Sequence, residues 1–148
     1  MYYLIVNKQT LTTHYIYECS SGPDYTFMSY YTDDIYDHIN IPDELLNYTS
    51  VIKAGKRDET IYLYVTYDDK LSVDTETWKQ IRITRNQLLH QTDFYLMSDY
   101  PINEICRQEC MVYRQKLRDV PQNHQSPFEV VWPVYPSFFT FNNNCENR

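Results

Sequence analysis

Hydrophobic and polar positions in the first half of the chain follow the period of two that is typical of β-strands. Residues 2–6 and 11–17 are rich in β-branched and aromatic side chains, and the turn-forming Asn7-Lys8-Gln9 separates them. This pattern predicts a β-hairpin. In residues 60–67, aliphatic side chains alternate with tyrosine and threonine, which predicts a strand with one buried face.

Shorter patterns lie between and after these strands. The Gly22-Pro23 pair interrupts any regular element, and a third strand is predicted beyond it over residues 25–31. Pro42 is followed by two acidic residues, as in the first turn of a helix. Asp68-Asp69-Lys70 predicts a turn after the strand at 60–67.

Beyond Asp74 the period changes to that of an α-helix. Asp74 or Thr75 can cap this helix, and Glu76 places a negative charge in its first turn. The helix is predicted to run to about Gln91. One stripe of it carries Trp78, Ile81, Arg85, Leu88 and Leu89.

A second helix is predicted to begin near Pro101 and Asn103 and to end within two residues of Pro121, because proline cannot continue a helix for long. Its predicted stripe contains Cys106, Cys110, Tyr113 and Leu117. A loop of about ten residues between the helices permits an antiparallel return. The chain after Pro121 mixes three further prolines with aromatic residues, which predicts an extended arm.

Together these elements predict an α+β fold with three parts. A small, mostly-β N-terminal domain is predicted over residues 1–74, an antiparallel two-helix hairpin over 75–121, and an extended Pro/aromatic C-terminal arm over 122–148. The distribution of charge changes at the first boundary. Residues 1–74 contain 5 Lys/Arg and 12 Asp/Glu, whereas residues 75–148 contain 8 of each.

Composition disfavours several classes of function. The chain carries a net charge of −7, and its acidic first half has no basic cluster, so we expect no nucleic-acid binding. No apolar run approaches a membrane span and no secretion signal is visible, so we expect a soluble protein made in a cytoplasm. The 4 cysteines are scattered and are expected to be reduced thiols.

Candidate catalytic and metal-binding groups are few. The chain has 2 glycines, too few for the phosphate-binding loops of nucleotide-dependent enzymes. Cys106 and Cys110 lie one helical turn apart and could share a metal with a histidine, but buried packing is the favoured interpretation. We therefore predict no cofactor, no metal and no catalytic site, with an unrecognised Cys/His enzyme as the least favoured alternative.

Six segments of the second half occur in a characteristic order. They are WKQIR at 78–82, TRNQLL at 84–89, QTDF at 91–94, SDYP at 98–101, YRQKLRDVP at 113–121 and VVWP at 130–133. In order and spacing they resemble the phage tail assembly chaperone domain, which occurs in tailed bacteriophages, often at the C-terminal end of tail-fibre-related proteins. Phe94 stands where this family usually has tryptophan, which should keep the packing role but loses an indole donor.

Four of the five arginines in the hairpin, Arg82, Arg85, Arg114 and Arg118, are predicted to point outward, or across to acidic residues of the opposite helix and the loop. They either pin the hairpin to its loop or form a partner surface. Trp78, Ile81, Leu88, Leu89, Tyr113 and Leu117 are expected to form a small two-helix core. The candidate partner-binding residues are Arg82, Arg85, Arg114, Arg118, Phe128, Trp132, Tyr135, Phe138 and Phe139.

The resemblance implies a non-enzymatic phage tail protein that acts through protein–protein contacts in the attachment or assembly of tail fibres or the baseplate. Two roles stay open, a virion adaptor and an assembly chaperone. Expected partners are tail, fibre or baseplate proteins in an oligomeric assembly, with no membrane. The expected location is the virion tail or the cytoplasm of the infected bacterial host. A host-interacting or small regulatory binding protein of phage origin is the alternative.

Overall fold

The computed structural model describes residues 1–26 and 30–137. The chain divides into two compact units, Met1–Val73 and Asp74–Arg148. Antiparallel strands dominate the first unit and two helices dominate the second, so the predicted α+β fold with a helical hairpin is confirmed.

A three-stranded antiparallel sheet forms the centre of the first unit. Its strands are β1 (Tyr2–Asn7), β2 (Thr13–Glu18) and β3 (Tyr36–Asn40), in the order β2-β1-β3. β1 and β2 form the predicted hairpin. The second neighbour of β1 is β3, where no strand was predicted from the sequence.

The strand predicted over residues 25–31 is wrong where the structure describes it, since residues 25, 26, 30 and 31 lie in turns and a bend. Residues 27–29 lie outside the described part of the chain. The cause is local. The Asp24 carboxylate accepts hydrogen bonds from both the backbone N–H and the hydroxyl of Thr26, at 2.9 and 2.6 Å. Such short-range bonds compete with a strand ladder.

β1 is buried on both faces because its side chains alternate between two apolar clusters. Tyr3 and Ile5 pack with Tyr17 and Tyr36 on one face. Leu4 and Val6 pack with a second cluster on the other. That cluster also contains Ile41, Ile52, Leu45, Leu46, Ile61, Leu63 and Val65. β1 is therefore the central strand of the unit.

His38 lies buried at the edge of the tyrosine-rich cluster. Its Nε2 is 3.2 Å from the carbonyl oxygen of Tyr31, so this nitrogen carries the proton and donates. Its Nδ1 then accepts from the Tyr17 hydroxyl at 2.7 Å. The same hydroxyl accepts from the backbone N–H of Asp24 at 2.9 Å. Burial raises the pKa of Tyr17, which keeps its hydroxyl protonated as a donor.

A second, two-stranded sheet pairs β4 (Lys53–Arg57) with β5 (Thr60–Tyr64). The predicted alternation in β5 is confirmed, because Ile61 and Leu63 pack on the second cluster while Tyr62 and Tyr64 are exposed. The helical turn expected after Pro42 is a 3-10 helix, Asp43–Tyr48.

Helix α1 (Tyr67–Thr92) begins seven residues before the predicted start at Asp74. The turn predicted at Asp68-Asp69-Lys70 is therefore wrong. The Thr66 hydroxyl accepts from the backbone N–H of Asp69 at 3.2 Å, and the two aspartates carry negative charge in the first helical turn. A hydroxyl cap followed by acidic residues stabilises a helix start, so the motif that resembled a turn is a cap.

Helix α2 (Glu104–Asn123) begins as predicted, with the Asn103 side chain accepting from the backbone N–H of Cys106 at 2.9 Å. Pro121 lies inside its last turn and the helix ends two residues later. Its buried stripe contains Cys106, Cys110, Tyr113, Arg114, Leu117 and Val120. A 3-10 helix, Asp93–Leu96, starts the connection from α1.

The segment after α2 has little regular structure in the part described. A 3-10 helix spans Pro127–Glu129, and residues 130–136 adopt no helix or strand. The ring of Tyr135 packs edge-on against that of Tyr113, with centroids 5.5 Å apart. This part of the arm thus contacts α2 of the same chain.

In the described part of the chain, Cys19 and Cys110 are free thiols. The expectation of reduced thiols is wrong for Cys106, which is in a disulfide. Burial raises the pKa of Cys110, so this thiol stays protonated at neutral pH. Within residues 1–26 and 30–137, neither helix is long and apolar enough to cross a membrane.

Candidate partner-binding surface on the hairpin

Arg114 joins the two helices through one buried guanidinium. The residue is 8% exposed. Its Nη1 donates to the carbonyl oxygen of Leu89 at 2.6 Å and to the hydroxyl of Thr92 at 2.7 Å. The same atom lies 2.8 Å from a carboxylate oxygen of Asp93. Because the last carbonyls of a helix have no partner within it, Arg114 caps the end of α1 from α2.

The contacts of Arg114 with Leu89, Thr92 and Asp93 form a clamp between the helices. Within this clamp, the opposite charges of Arg114 and Asp93 stabilise each other. The hydrogen bond from Arg114 holds the pKa of Asp93 below its ordinary value, and the neighbouring His90 adds to the shift. Asp93 is therefore ionised at neutral pH and compensates part of the buried positive charge. Thr92, fully buried, also donates its hydroxyl to the Leu89 carbonyl at 2.9 Å.

The clamp explains why the family-like motif has its spacing. Leu89 ends the LL pair, Thr92-Asp93 is the TD pair, and Arg114 belongs to the YR pair. One carbonyl and two side chains, each more than 20 residues before Arg114 in sequence, thus meet at one guanidinium. Two interpretations were left open for the arginines, fixing the hairpin to its loop or binding a partner. For Arg114, this geometry supports the first.

The other three candidate arginines have separate environments. The Arg82 guanidinium lies 5.9 Å from the ring centroid of Trp78. Arg85 donates to the side-chain oxygen of Asn86 at 3.2 and 3.1 Å. Arg118 is exposed on α2. Partner binding by these residues stays a prediction.

The expected two-helix core is buried on the α2 side and only half-buried on the α1 side. Tyr113 and Leu117 are buried, as predicted for α2. Trp78, Ile81, Leu88 and Leu89 are half-buried. The buried residue of α1 is Thr92, a polar one. The hairpin therefore relies on a polar clamp as well as on apolar packing.

An open cleft of about 580 Å³ lies between α2 and the arm. One wall is a second stripe of α2 that includes Ile105 and Val112, and the other is formed by Val134 and Pro136. Ile105 is 74% exposed and Val134 is 91% exposed. The remaining lining residues are Glu104, Gln108, Glu109, Tyr113 and Lys116.

The sequence interpretation missed this cleft. Ile105 and Val112 are seven residues apart and share a helix face that the buried stripe does not use. That spacing is visible in the sequence. The arm that forms the opposite wall has no periodic pattern, so its position beside α2 could not be predicted. The cleft is lined mainly by apolar surface, as protein-binding grooves are.

The arm residues predicted to bind partners lie in different environments. Phe128 and Trp132 are half-buried, and Tyr135 packs on Tyr113. Phe138 and Phe139 lie outside the described residues, and partner binding by all five arm residues stays a prediction.

Metal binding has no support in the described part of the chain. There, no group of three or more His, Cys, Asp or Glu side chains is arranged to hold a metal ion. The second unit thus has a hairpin held by the clamp and an exposed apolar cleft, an arrangement suited to binding.

Residues 78–137 match the family model described as phage tail assembly chaperone protein. The matched segment contains the clamp and every residue that lines the cleft. No curated protein and no solved structure matches the chain. The match supports a role in phage tail assembly, and it confirms that the helical hairpin and the first part of the arm are similar to the phage tail assembly chaperone family.

Proposed function

We propose that this chain is a non-enzymatic phage tail protein that takes part in the assembly or attachment of tail fibres or the baseplate through protein–protein contacts. The observation that carries the proposal is the position of the apolar cleft within the family-like segment. A surface that exposes aliphatic side chains beside a rigid helix is suited to holding another protein.

The clamp gives this surface its rigidity. Arg114 holds the end of α1 against α2 through three oxygen atoms, so the helix that forms one wall of the cleft is fixed from its buried side. Binding to a fixed wall costs less conformational entropy than binding to a mobile one. The same surface serves a chaperone that leaves after assembly or an adaptor that stays.

The first unit contributes a different kind of surface. Its charge is strongly acidic, and tyrosines such as Tyr62 and Tyr64 are exposed on β5. Tyrosine with few basic residues is typical of protein contacts and unfavourable for phosphate backbones. We propose protein partners for this unit, in an oligomeric tail assembly, with no nucleic acid and no membrane.

The test is quantitative mass spectrometry of purified particles and of the soluble fraction of the cells that produce them. A chaperone is present in the cells, bound to a tail protein, and absent from the particle. An adaptor is present in the particle at a fixed ratio to a tail, fibre or baseplate protein. Absence from particles, together with no tail-protein complex in the cells, contradicts the proposal.

A further inference from the structure

We propose that the cleft between α2 and the arm binds a short amphipathic α-helix of a tail protein, with a basic residue at one end and an acidic residue at the other. This inference rests on the proposed function and names the kind of segment that the surface accepts.

The apolar part of the cleft sets the spacing of the partner's anchors. Ile105 and Val112 are two helical turns apart on α2, so they lie about 10 Å from each other along its axis. Val134 faces them from the arm side of the cleft. A partner helix presents apolar side chains at the same two-turn spacing when it lies along α2.

The charged rim of the cleft sets the partner's polarity. Glu104 lines the end of the cleft near the start of α2, Glu109 lies between Ile105 and Val112, and Lys116 lines the other end. Glu104 is held by Arg107 and Gln108 of its own helix. Glu109 and Lys116 form no ion pair or hydrogen bond with any residue in the described ranges. Two opposite, unpaired charges on either side of Val112 are complementary to a partner with the reverse order of charge.

The backbone of the cleft favours a helix over an extended strand. The N–H groups in the middle of α2 are used within the helix, and Pro133 and Pro136 of the arm have no N–H to offer. A strand would therefore find no hydrogen-bond ladder on α2, and on the arm only a short one that is interrupted at both prolines. A helix satisfies its own backbone groups and needs only side-chain contacts.

Photo-crosslinking identifies the occupant. The full-length chain is produced with p-benzoylphenylalanine in place of Val134, together with each tail protein of the particle in turn. The matched control carries the same group in place of Val131, which is 75% exposed but does not line the cleft. We expect a cross-link at 134 and none at 131. The linked segment should have apolar residues at helical spacing and Lys or Arg at one end.

Binding measurements with the captured tail protein test the apolar contact at Val112 and the charged contact at Glu109 separately. Val112→Glu should weaken binding about tenfold or more, the scale of losing one apolar anchor. Glu109→Lys should weaken it less, and changing the partner's basic residue to glutamate should restore it. Val131→Glu and Glu129→Lys are the controls and should leave the affinity unchanged. Because Val112 and Glu109 are exposed, melting temperatures should not move.

The outcomes separate this inference from the proposed function. If no tail protein is captured by the unmodified chain, the proposed function fails and this inference falls with it. If a tail protein is captured but position 134 does not cross-link, or the linked segment is extended or acidic, only the inference is overturned. A cross-link to a second copy of the chain overturns it too, because the cleft would then be a contact between copies.

Discussion

The first unit and the hairpin stabilise themselves in different ways. β1 buries both of its faces, and Ile5 and Val6 are among the most deeply buried side chains of the chain. The hairpin buries one stripe of α2, while the apolar side chains of α1 are only half covered. Its connection depends on the polar clamp at Arg114.

This difference shows where each part keeps surface available for partners. β1 buries its aliphatic side chains on both faces, and the surface of the first unit is acidic and carries exposed tyrosines. A helix buried on one stripe keeps its other faces, and on α2 one of them is apolar and forms the cleft. Four predictions test this contrast.

Removing a core side chain from β1 should have the largest effect. Ile5→Ala deletes fully buried atoms between Tyr3, Tyr17 and Tyr36, and it should lower the free energy of unfolding by roughly 2–5 kcal/mol. Chemical denaturation, with hydrogen exchange of the peptides from β1–β3, measures the loss. Ile35→Ala is the matched control, because Ile35 is exposed and should cost little. Equal losses in the two variants would contradict the two-faced core.

Removing the clamp should have the next largest effect. Arg114→Met keeps the aliphatic stem but leaves the Leu89 carbonyl and the Thr92 hydroxyl without their shared donor, which should cost about 2 kcal/mol. Hydrogen exchange should accelerate in residues 85–93 and 113–123 and stay unchanged in β1. Arg82→Met is the control, since Arg82 is exposed and its guanidinium lies 5.9 Å from the ring centroid of Trp78. Unchanged exchange in Arg114→Met would mean that apolar packing alone holds the hairpin.

The clamp should also make the hairpin sensitive to acid. The folded-state pKa of Asp93 is lowered, chiefly by Arg114, so its contribution to stability is fully present above its unfolded pKa of about 3.9. That contribution is lost as pH falls through the lower folded pKa. Hydrogen exchange of residues 85–93, followed from pH 7 to pH 3 and corrected for intrinsic rates, should show this loss. Asp93→Asn should remove the dependence and Asp99→Asn should keep it.

The smallest effect is expected on the surface of the second sheet. Gly55 lies opposite Tyr62, and a Cβ on Gly55 would clash with the tyrosine ring. Gly55→Ala should therefore push an exposed ring aside and cost roughly 0.5–1 kcal/mol, the scale of a cross-strand pair. In a Tyr62→Ala background the same substitution should cost nothing. A double-mutant cycle from thermal melts measures the difference, and equal costs in both backgrounds would contradict the contact.

Several features of the fold were predictable because their signals are local. The β1–β2 hairpin follows from alternation around a turn, and the Asn103 cap and buried stripe of α2 follow from helical spacing. The family resemblance also came from residues in sequence order, and the match over residues 78–137 confirms it. The parts predicted as 1–74, 75–121 and 122–148 stay a prediction.

Other features escaped prediction because their causes are not local. β3 and β4 have weak patterns of their own and exist because β1 and β5 supply hydrogen-bond partners. The start of α1 was missed because Asp68-Asp69-Lys70 is typical both of a turn and of a capped helix. The hydroxyl of Thr66 decides between them in favour of the cap.

The sequence by itself determined the class of fold, the helical stripes and the motif shared with a family, since each depends on residues within a few turns of one another. Only the tertiary structure decided that Arg114 is a buried clamp and that Ile105, Val112 and Val134 share a cleft. Both depend on which distant segments meet. An arginine looks the same in the sequence whether its guanidinium faces water or three protein oxygen atoms. Only the packing of the chain decides which of the two environments surrounds it.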